Sequence, residues 1–243
     1  MMSFSKYINE SASSEFKNNI QKTISFLENK KKVLFLTTSN RYDKNVDDIP
    51  KSTQIAYYIQ EMVGMKKIEI LEVPKLNIYN CEGNVSSATG NGCGKKEAVL
   101  EDNAKNPTGF HRCWCSLHHK DDELWRVSRP LFESDCVVFF GSVRWGQTNA
   151  IYQKLIERLC WIENRHTTLR ESNIVGNIAA GIILTGQNWN GENVIETQKQ
   201  VFKFYGFDVQ NDICWNWQYT NNANDESKDS YKHAIKEFNQ ELI

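Results

Sequence analysis

The chain has 243 residues, of which 40% are hydrophobic and 12% aromatic, a composition that indicates a globular protein with a sizeable core. Its basic and acidic residues are almost balanced, with a formal net charge of −1, which argues against a nucleic-acid partner because phosphate binding needs clustered positive charge. The sequence has no apolar run of membrane-spanning or signal-peptide length, so we expect a cytoplasmic protein with no membrane partner.

The first part of the chain alternates helical patterns with short apolar runs. Residues 1–30 are polar but carry apolar side chains at roughly helical spacing, which predicts an N-terminal helical extension. Val33 to Thr38 and Ile68 to Val73 are typical of buried strands, and Pro74 stops the second of them. Between them the spacing of apolar residues predicts a helix that begins near Ser52 and ends at Gly64.

The same alternation resumes after residue 120. A helix is predicted first, bent or ended near Pro130. The later elements have the same kinds of pattern. In chain order we predict a helix over 121–134, strand 136–140, helix 151–165, strand 179–184, helix 194–205 closed by Gly206, strand 207–209 and a final helix over 231–242.

Strands that alternate with helices indicate parallel pairing through right-handed crossovers. The sequence therefore predicts one α/β domain over residues 1–243, a three-layer doubly wound parallel sheet of five strands. Residues 74–120, between the second and third strands, are rich in Gly, Asn, Cys and His without periodicity, and we interpret them as a long insertion.

Ligands of such sheets bind beyond the carboxyl ends of the strands, near the point where the strand order reverses. The first strand is followed by Ser39 and Arg41, and Ser52 and Thr53 lie at the start of the next helix. Hydroxyls and amides at a helix N-terminus suit a phosphate group. The alternative is that Ser52 or Thr53 only caps its helix.

Two further strand-end loops carry glycines, an aromatic residue and amides. In residues 141–149, Gly141 and Gly146 would allow close approach to a flat ligand and Trp145 would stack on it; alternatively, the loop is a tight turn with Trp145 packed in the core. Residues 185–191 repeat the arrangement around Trp189. Together the three loops predict a phosphorylated planar aromatic ligand.

The run from Ser142 to Trp161, SVRWGQTNAIYQKLIERLCW, resembles the strand-three motif of flavodoxin-like NAD(P)H-dependent FMN reductases. The hydroxyl-rich loop with Arg41 and the Thr-Gly loop at Thr185 are similar to that family's other two motifs, in the same order. The sequence departs from the family at Arg144, where a tyrosine is usual, and at Glu157, where an aspartate precedes the arginine.

The resemblance implies a flavodoxin-like fold and an FMN-dependent oxidoreductase. NAD(P)H would be its co-substrate, a quinone, flavin or nitro compound its small-molecule electron acceptor, and a homodimer its assembly. The flavin carries the redox chemistry, so no catalytic side chain is expected. By resemblance, the phosphate would lie on Ser39, Arg41, Ser52 and Thr53, and the flavin ring would lie between Ser142, Val143, Arg144, Trp145 and Gly146 on one side and Thr185, Gly186, Gln187, Asn188, Trp189 and Gly191 on the other.

The insertion is the source of the alternative functions. Cys81, Cys93, Cys113 and Cys115 are candidate ligands for a metal or an iron–sulfur cluster, which would make the protein an electron-transfer flavoprotein or a non-catalytic metal-binding module. The paired spacings of zinc and cluster sites are absent, so we expect reduced thiols and an insertion that covers the flavin or a subunit interface. The near-zero net charge favours the enzyme over an electron carrier.

Overall fold

Five parallel strands and one short antiparallel strand form the central sheet. The computed structural model describes residues 14–40, 49–186 and 190–218, and the expected helix over 231–242 lies outside them. The spatial order of the parallel strands is β2-β1-β3-β5-β6, and β4 pairs with the end of β3. The strands are β1 (Val33–Thr37), β2 (Ile68–Glu72), β3 (Cys136–Arg144), β4 (Gln147–Thr148), β5 (Ala179–Gly186) and β6 (Asp208–Gln218).

Helices cover both faces of this sheet, which confirms the predicted three-layer, doubly wound α/β class. They are α1 (Ser14–Glu28), α2 (Lys51–Val63), α3 (Trp114–His118), α4 (Trp125–Glu133), α5 (Ala150–Thr167) and α6 (Gly191–Tyr205). Within residues 14–40, 49–186 and 190–218, no helix is long and apolar enough to cross a membrane.

The central strands read as continuous apolar runs because both of their faces are buried. In β1, Val33 and Phe35 belong to a core shared with α1 and α2, and Leu34 and Leu36 belong to a second core shared with α4, α5 and α6. All five β1 residues are buried. Alternate side chains of one strand thus join the two helical layers.

Three predicted boundaries differ from the structure. Strand β3 continues past Phe140 to Arg144, because its polar end forms a hairpin with β4. Strand β6 extends from Asp208 to Gln218, well beyond the predicted residues 207–209, and a register shift at Ala180/Ile182 accommodates its pairing with β5. Helix α4 begins only at Trp125 and continues through Pro130, where a proline removes a single intrahelical bond.

The insertion, residues 74–120, has little regular structure, as predicted. Apart from α3 it contains single 3₁₀ turns at Val73–Lys75, Asn84–Ser86 and Lys96–Ala98. It packs on α5: Asn164 Nδ2 donates to Asn91 Oδ1 at 3.0 Å, and Arg165 Nη1 donates to the Phe110 carbonyl at 2.9 Å. Side chains of the insertion therefore extend one of the two cores.

A buried ion pair fastens the insertion to α5. Arg158 donates to both carboxylate oxygens of Asp122, at 2.9 and 2.8 Å, and both side chains are fully buried. The guanidinium also donates to the Tyr79 carbonyl at 2.8 Å and to Ser116 Oγ at 3.1 Å. Burial alone would raise the pKa of Asp122, but the hydrogen bonds from Arg158 and Ser116 outweigh it and lower that pKa. One side chain thus holds both ends of the insertion.

We predict that Arg158→Met lowers the free energy of unfolding by about 3–5 kcal/mol, because it leaves the Asp122 carboxylate buried without its partner. Urea denaturation followed by circular dichroism measures this. The matched control is Arg126→Met, which removes a solvent-exposed pair with Glu123 and should cost less than about 1 kcal/mol. Equal losses for the two variants would contradict the anchoring role of Arg158.

Candidate functional site

Strands β1, β3 and β5 end at the same edge of the sheet, and helices α2, α5 and α6 begin there. In the order β2-β1-β3-β5-β6, β2 lies on one side of β1 and all later parallel strands lie on the other side. The strand order therefore reverses between β1 and β3. Crevices at such a reversal are where open α/β sheets bind ligands. The predicted site residues lie at this edge.

The side chain of Asn149 joins the ends of β1 and β3. Its Nδ2 donates to the Thr38 carbonyl at 2.8 Å, and its Oδ1 accepts from the Ser142 amide at 3.2 Å and from Thr38 Oγ1 at 3.1 Å. The Asn149 amide in turn donates to the Ser142 carbonyl at 3.0 Å. Asn149 is buried, so this network fixes the crevice between the two strands.

Among the described residues, no N-cap side chain bonds to the first N–H groups of the three helices that begin at this edge. The residues at the N-cap positions are Pro50 for α2, Asn149 for α5 and Asn190 for α6, and none makes a capping bond. The first N–H groups of a helix have no intrahelical partner, and the helix dipole favours an anion there. The edge is therefore suited to a negatively charged group.

Hydroxyl groups collect beside the N-terminus of α2. Ser52 Oγ donates to Ser39 Oγ at 2.8 Å, and both serines are buried. Thr37 is on the same strand face as Phe35, toward α2, and its buried Oγ1 has no partner among the described residues. Ser52 and Thr53 lie inside α2 after Pro50, so the alternative that either only caps the helix is wrong.

Trp145 occupies the tip of the hairpin between β3 and β4. Arg144 pairs with Gln147, and the two residues between them have positive φ values, 52° for Trp145 and 69° for Gly146. Asn-Gly is the preferred sequence for such a turn, whereas a bulky residue in this conformation costs about 1–2 kcal/mol. The Trp145 side chain is 78% exposed, so the alternative that it packs in the core is wrong.

Asn190 holds this hairpin against the start of α6. Its Nδ2 donates to the Gly146 carbonyl at 2.9 Å, and its Oδ1 accepts from Asn193 Nδ2 at 2.7 Å. Asn190 itself has a left-handed backbone, with φ 75°. The β3–β4 hairpin and the start of α6 are thus joined through a second asparagine.

The glycines of these loops make room for protein atoms. A Cβ at Gly141 would lie 3.0 Å from Asn149 Oδ1 and 3.1 Å from Thr38 Oγ1, and one at Gly186 would lie 2.9 Å from Val143 Cβ. The expectation that Gly141 allows a ligand to approach is therefore wrong. Its small size admits the Asn149 side chain instead.

The structure sorts the other predicted site residues by their access to solvent. Arg144 and Trp145 are exposed, and Ser142 is partly exposed. The backbone amide of Ser142 already donates to Asn149 Oδ1. Val143 and Thr185 are buried, so the Val143 side chain contributes packing against Gly186 rather than a contact surface. Gly191 is also buried, and a Cβ there would collide with Asn216. Arg41, Gln187, Asn188 and Trp189 lie outside the described residues.

Thr37, Asn149 and Asn190 lie in the three predicted loops, but the sequence did not assign any of them an individual role. The signal for the two asparagines was present, because each directly precedes a helical pattern, where asparagine is a common cap. Their use in joining strand ends depends on the tertiary structure. The spacing of residues along the chain does not encode it.

All seven cysteines are free thiols, as expected. Cys93 Sγ lies 3.4 Å from Cys160 Sγ, Cys113 Sγ lies 3.6 Å from Arg158 Nη2, and the Cys115 thiol donates to the Asn80 carbonyl. The described part of the insertion makes hydrogen bonds to residues 72–73 at the end of β2, to residues 121–123, to α4 and α5, and to Thr168 and Glu171. Among the described residues, none of these bonds goes to the strand ends at 37–39, 142–146 or 185–186. These contacts do not place the insertion over the predicted ligand site.

The insertion also contains a buried histidine, His111. His111 contacts Ser128 Oγ at 2.6 Å and Ser116 Oγ at 3.0 Å through its two ring nitrogens. Burial lowers the pKa of His111 to about 4, and the opposing charges of Asp122 and Arg158 act on it in opposite directions. His111 is therefore neutral in the folded protein at neutral pH.

The comparisons with known proteins bear on the fold. No protein-family model and no curated protein matches this sequence. The solved structure of RosB with a bound 8-demethyl-8-formylriboflavin-5′-phosphate intermediate is similar, with a TM-score of 0.53 and 15% identity over 86% of this chain and 74% of that one.

Two other similar structures are those of a putative quinone reductase from Klebsiella pneumoniae and an azoreductase from Bacillus anthracis. The first has a TM-score of 0.47 and 13% identity over 86% of this chain and 82% of that one. The second has a TM-score of 0.46 and 12% identity over 86% and 95%. The resemblance seen in the sequence motifs is confirmed at the level of the fold, which is flavodoxin-like.

We predict that the free energy of unfolding falls as the pH is lowered from about 6.5 to about 4, by roughly 3 kcal/mol from His111 alone. The sign follows because the unfolded chain binds the proton in this window and the folded protein does not. Urea denaturation at a series of pH values measures the slope. His111→Asn should remove this contribution, whereas His118→Asn, at an exposed position, should retain it. An unchanged slope in His111→Asn would contradict the assignment.

Proposed function

We propose that the sheet edge at which β1, β3 and β5 end, called the strand-end edge below, binds FMN. We further propose that the protein is an FMN-dependent NAD(P)H oxidoreductase. The observation that carries this proposal is Trp145, which is held in a strained conformation and exposed to solvent at the reversal point of the sheet. A buried or unstrained residue at this turn would need no ligand to explain it. Strain of this kind persists where function requires it.

The phosphate of FMN fits the α2 end of the edge. Donors for a dianion come from the N-terminus of α2, from the Ser39–Ser52 hydroxyl pair and from the Thr37 hydroxyl, which has no partner among the described residues. RosB, which shares the fold, was solved with a riboflavin-5′-phosphate derivative, a ligand of the same chemical class. The donor set therefore supports a phosphorylated flavin over an unphosphorylated one.

The flavin ring fits the hairpin end of the edge. Trp145 offers an exposed flat face, and Arg144 beside it offers a cation for the ring edge or for the pyrophosphate of an incoming nucleotide. Bound there, FMN would supply the redox chemistry by accepting hydride from NAD(P)H and passing it to a small acceptor. Asn149 and Asn190 would keep the hairpin in place.

We predict that Ser52→Ala weakens FMN binding about 10-fold and leaves riboflavin binding unchanged within about 2-fold. Ser52 Oγ donates its proton to Ser39 Oγ, so the substitution removes the bond that orients the Ser39 hydroxyl as the proposed donor to the phosphate. A hydrogen bond to a charged group contributes about 1.5 kcal/mol or more. Quenching of flavin fluorescence during titration measures both affinities. The control is Ser134→Ala, a buried serine at the end of α4 that donates to the Pro130 carbonyl. Equal losses for FMN and riboflavin would contradict the phosphate assignment.

We predict that Trp145→Asn has opposite effects on stability and binding. It creates the favoured turn sequence and should raise the free energy of unfolding by about 1 kcal/mol. It should also weaken FMN and riboflavin binding about 5- to 10-fold, because the stacking surface is lost. Trp145→Phe is the matched control, since it keeps both the aromatic ring and the strained backbone. A Trp145→Asn variant that binds FMN as tightly as the unmodified protein would contradict the stacking role.

The catalytic proposal is tested with the purified protein loaded with FMN. We expect NADH or NADPH to bleach the flavin absorbance directly, and a quinone, a free flavin or a nitro compound to restore it. Flavin that is bound but reduced only by a protein donor would instead indicate an electron carrier. Protein that gains neither flavin absorbance nor thermal stability with FMN would contradict the whole proposal.

The acceptor and the assembly are proposals that follow from the same resemblance. We propose a small-molecule acceptor and a homodimer. Steady-state rates with the three acceptor classes address the first, and sedimentation equilibrium addresses the second. A monomer at all concentrations would remove the dimer without affecting the flavin site.

A further inference from the structure

One group of side chains in the insertion combines three metal-ligating atom types. The side chains of Glu82, Cys115 and His119 each offer one ligand atom, and these atoms all lie within 4.8 Å of one another. The group contains an oxygen, a sulfur and a nitrogen. None of the three residues belongs to the strand-end edge, so the group is separate from the proposed flavin site.

One helical turn separates Cys115 from His119. Cys115 lies in α3, His119 directly follows that helix as its C-cap, and the His119 amide donates to the Cys115 carbonyl at 3.0 Å. Side chains four residues apart lie one above the other on a helix. The backbone therefore brings the thiol and the imidazole together before any ion arrives.

The ring of His119 is held in a fixed orientation. It stacks on Tyr79, with ring centroids 4.0 Å apart and the planes 11° from parallel. The Tyr79 hydroxyl donates to the Asp121 carboxylate at 2.9 Å. Contacts of this kind, outside the ligands themselves, orient metal ligands in known sites.

Glu82 closes the group from the opposite side. The Glu82 carboxylate lies 3.9 Å from His119 Nε2. Two contacts orient this carboxylate, one with His118 Nδ1 at 2.9 Å and one from Asn84 Nδ2 at 3.1 Å. Cys115 is buried, whereas the side chains of Glu82 and His119 are 27% and 39% exposed. The group thus has a buried sulfur at its base and an open side through which an ion can enter.

We propose that Glu82, Cys115 and His119 bind a zinc ion, with water in the fourth position. Mixed sulfur, nitrogen and oxygen ligands suit zinc, which is tetrahedral and of intermediate softness. On binding, the Cys115 thiol releases its proton to solvent and gives up its hydrogen bond to the Asn80 carbonyl. Of the four cysteines that the sequence offered as candidate ligands, only Cys115 belongs to this site.

A neighbouring group of thiols is the rival location. Cys93 and Cys160 have their sulfurs 3.4 Å apart, and Cys81 interacts with Cys160. This group lacks a histidine or carboxylate, and it does not meet the mutual 4.8 Å spacing that the proposed trio meets. Cysteine variants in this group therefore serve as matched controls.

The test uses the full chain, stripped with a chelator and titrated with Zn²⁺ in competition with a chromophoric chelator. Co²⁺ is the spectroscopic probe, because a thiolate ligand gives an intense near-ultraviolet sulfur-to-cobalt band. We expect about one equivalent of zinc per chain. Cys115→Ser should abolish the cobalt band, and His119→Ala, at a partly exposed position, should weaken zinc binding by at least roughly 100-fold. Cys81→Ser and Cys93→Ser should bind zinc within about 3-fold of the unmodified protein.

Three results would overturn the proposal. One is that the unmodified chain binds no zinc, and another is that binding survives both Cys115→Ser and His119→Ala. The third is that Cys81→Ser or Cys93→Ser abolishes binding, which would place the ion among the thiols instead. Each readout is independent of flavin, so failure here would leave the proposed function standing, and failure of the flavin site would leave the zinc proposal standing.

Discussion

The side chain of Asn149 links β1, β3 and the start of α5 at the point where the sheet reverses its strand order. An asparagine directly before a helix often caps that helix. Here the Asn149 side chain instead donates its NH₂ group to the Thr38 carbonyl and accepts at its oxygen from the Ser142 amide. Two consequences follow. The crevice between β1 and β3 is held open at a fixed width, and the N-terminus of α5 keeps its N–H groups free of side-chain caps.

The same arrangement recurs on either side of Asn149. Proline at the start of α2 offers no side-chain cap, and Asn190 at the start of α6 uses its side chain to hold the Gly146 carbonyl. Among the described residues, the edge therefore presents helix starts whose N-cap side chains make no capping bond, a buried serine pair and the exposed ring of Trp145. The helix ends and the serine pair each have an ordinary structural explanation, whereas the strained, exposed Trp145 does not. Their occurrence together at one edge of a flavodoxin-like sheet is what supports a phosphorylated aromatic ligand.

Helix α5 serves a second purpose two turns further along. Arg158 on this helix fastens the insertion through Asp122, Tyr79 and Ser116, and the proposed zinc ligands lie in the segment that it holds. The start of α5 thus belongs to the proposed flavin site, and its middle supports the insertion. Three buried polar side chains of this one helix, Arg158, Asn164 and Arg165, explain how the 47 residues of the insertion (74–120) are kept on the domain.

The sequence was sufficient for the fold because the central strands are buried on both faces. Short apolar runs flanked by helical patterns indicate interior strands, and this pattern occurs at Val33 to Leu36 and at Ala179 to Leu184. The end of β3 was hidden, because Arg144, Trp145 and Gly146 look like a loop and form a hairpin only by pairing with Gln147 and Thr148. The roles of Asn149 and Glu82 depend on partners that are distant in the chain or on side-chain direction, which periodicity does not report.

Hydrogen–deuterium exchange of the purified protein with and without FMN tests the central claim most directly, because it locates the ligand without any substitution. We predict that FMN adds protection in peptides covering residues 37–40, 51–54 and 142–149, at the ends of β1 and β3 and the start of α2, and that residues 74–120 are unchanged. Protection confined to the insertion, or no protection at saturating FMN, would contradict it.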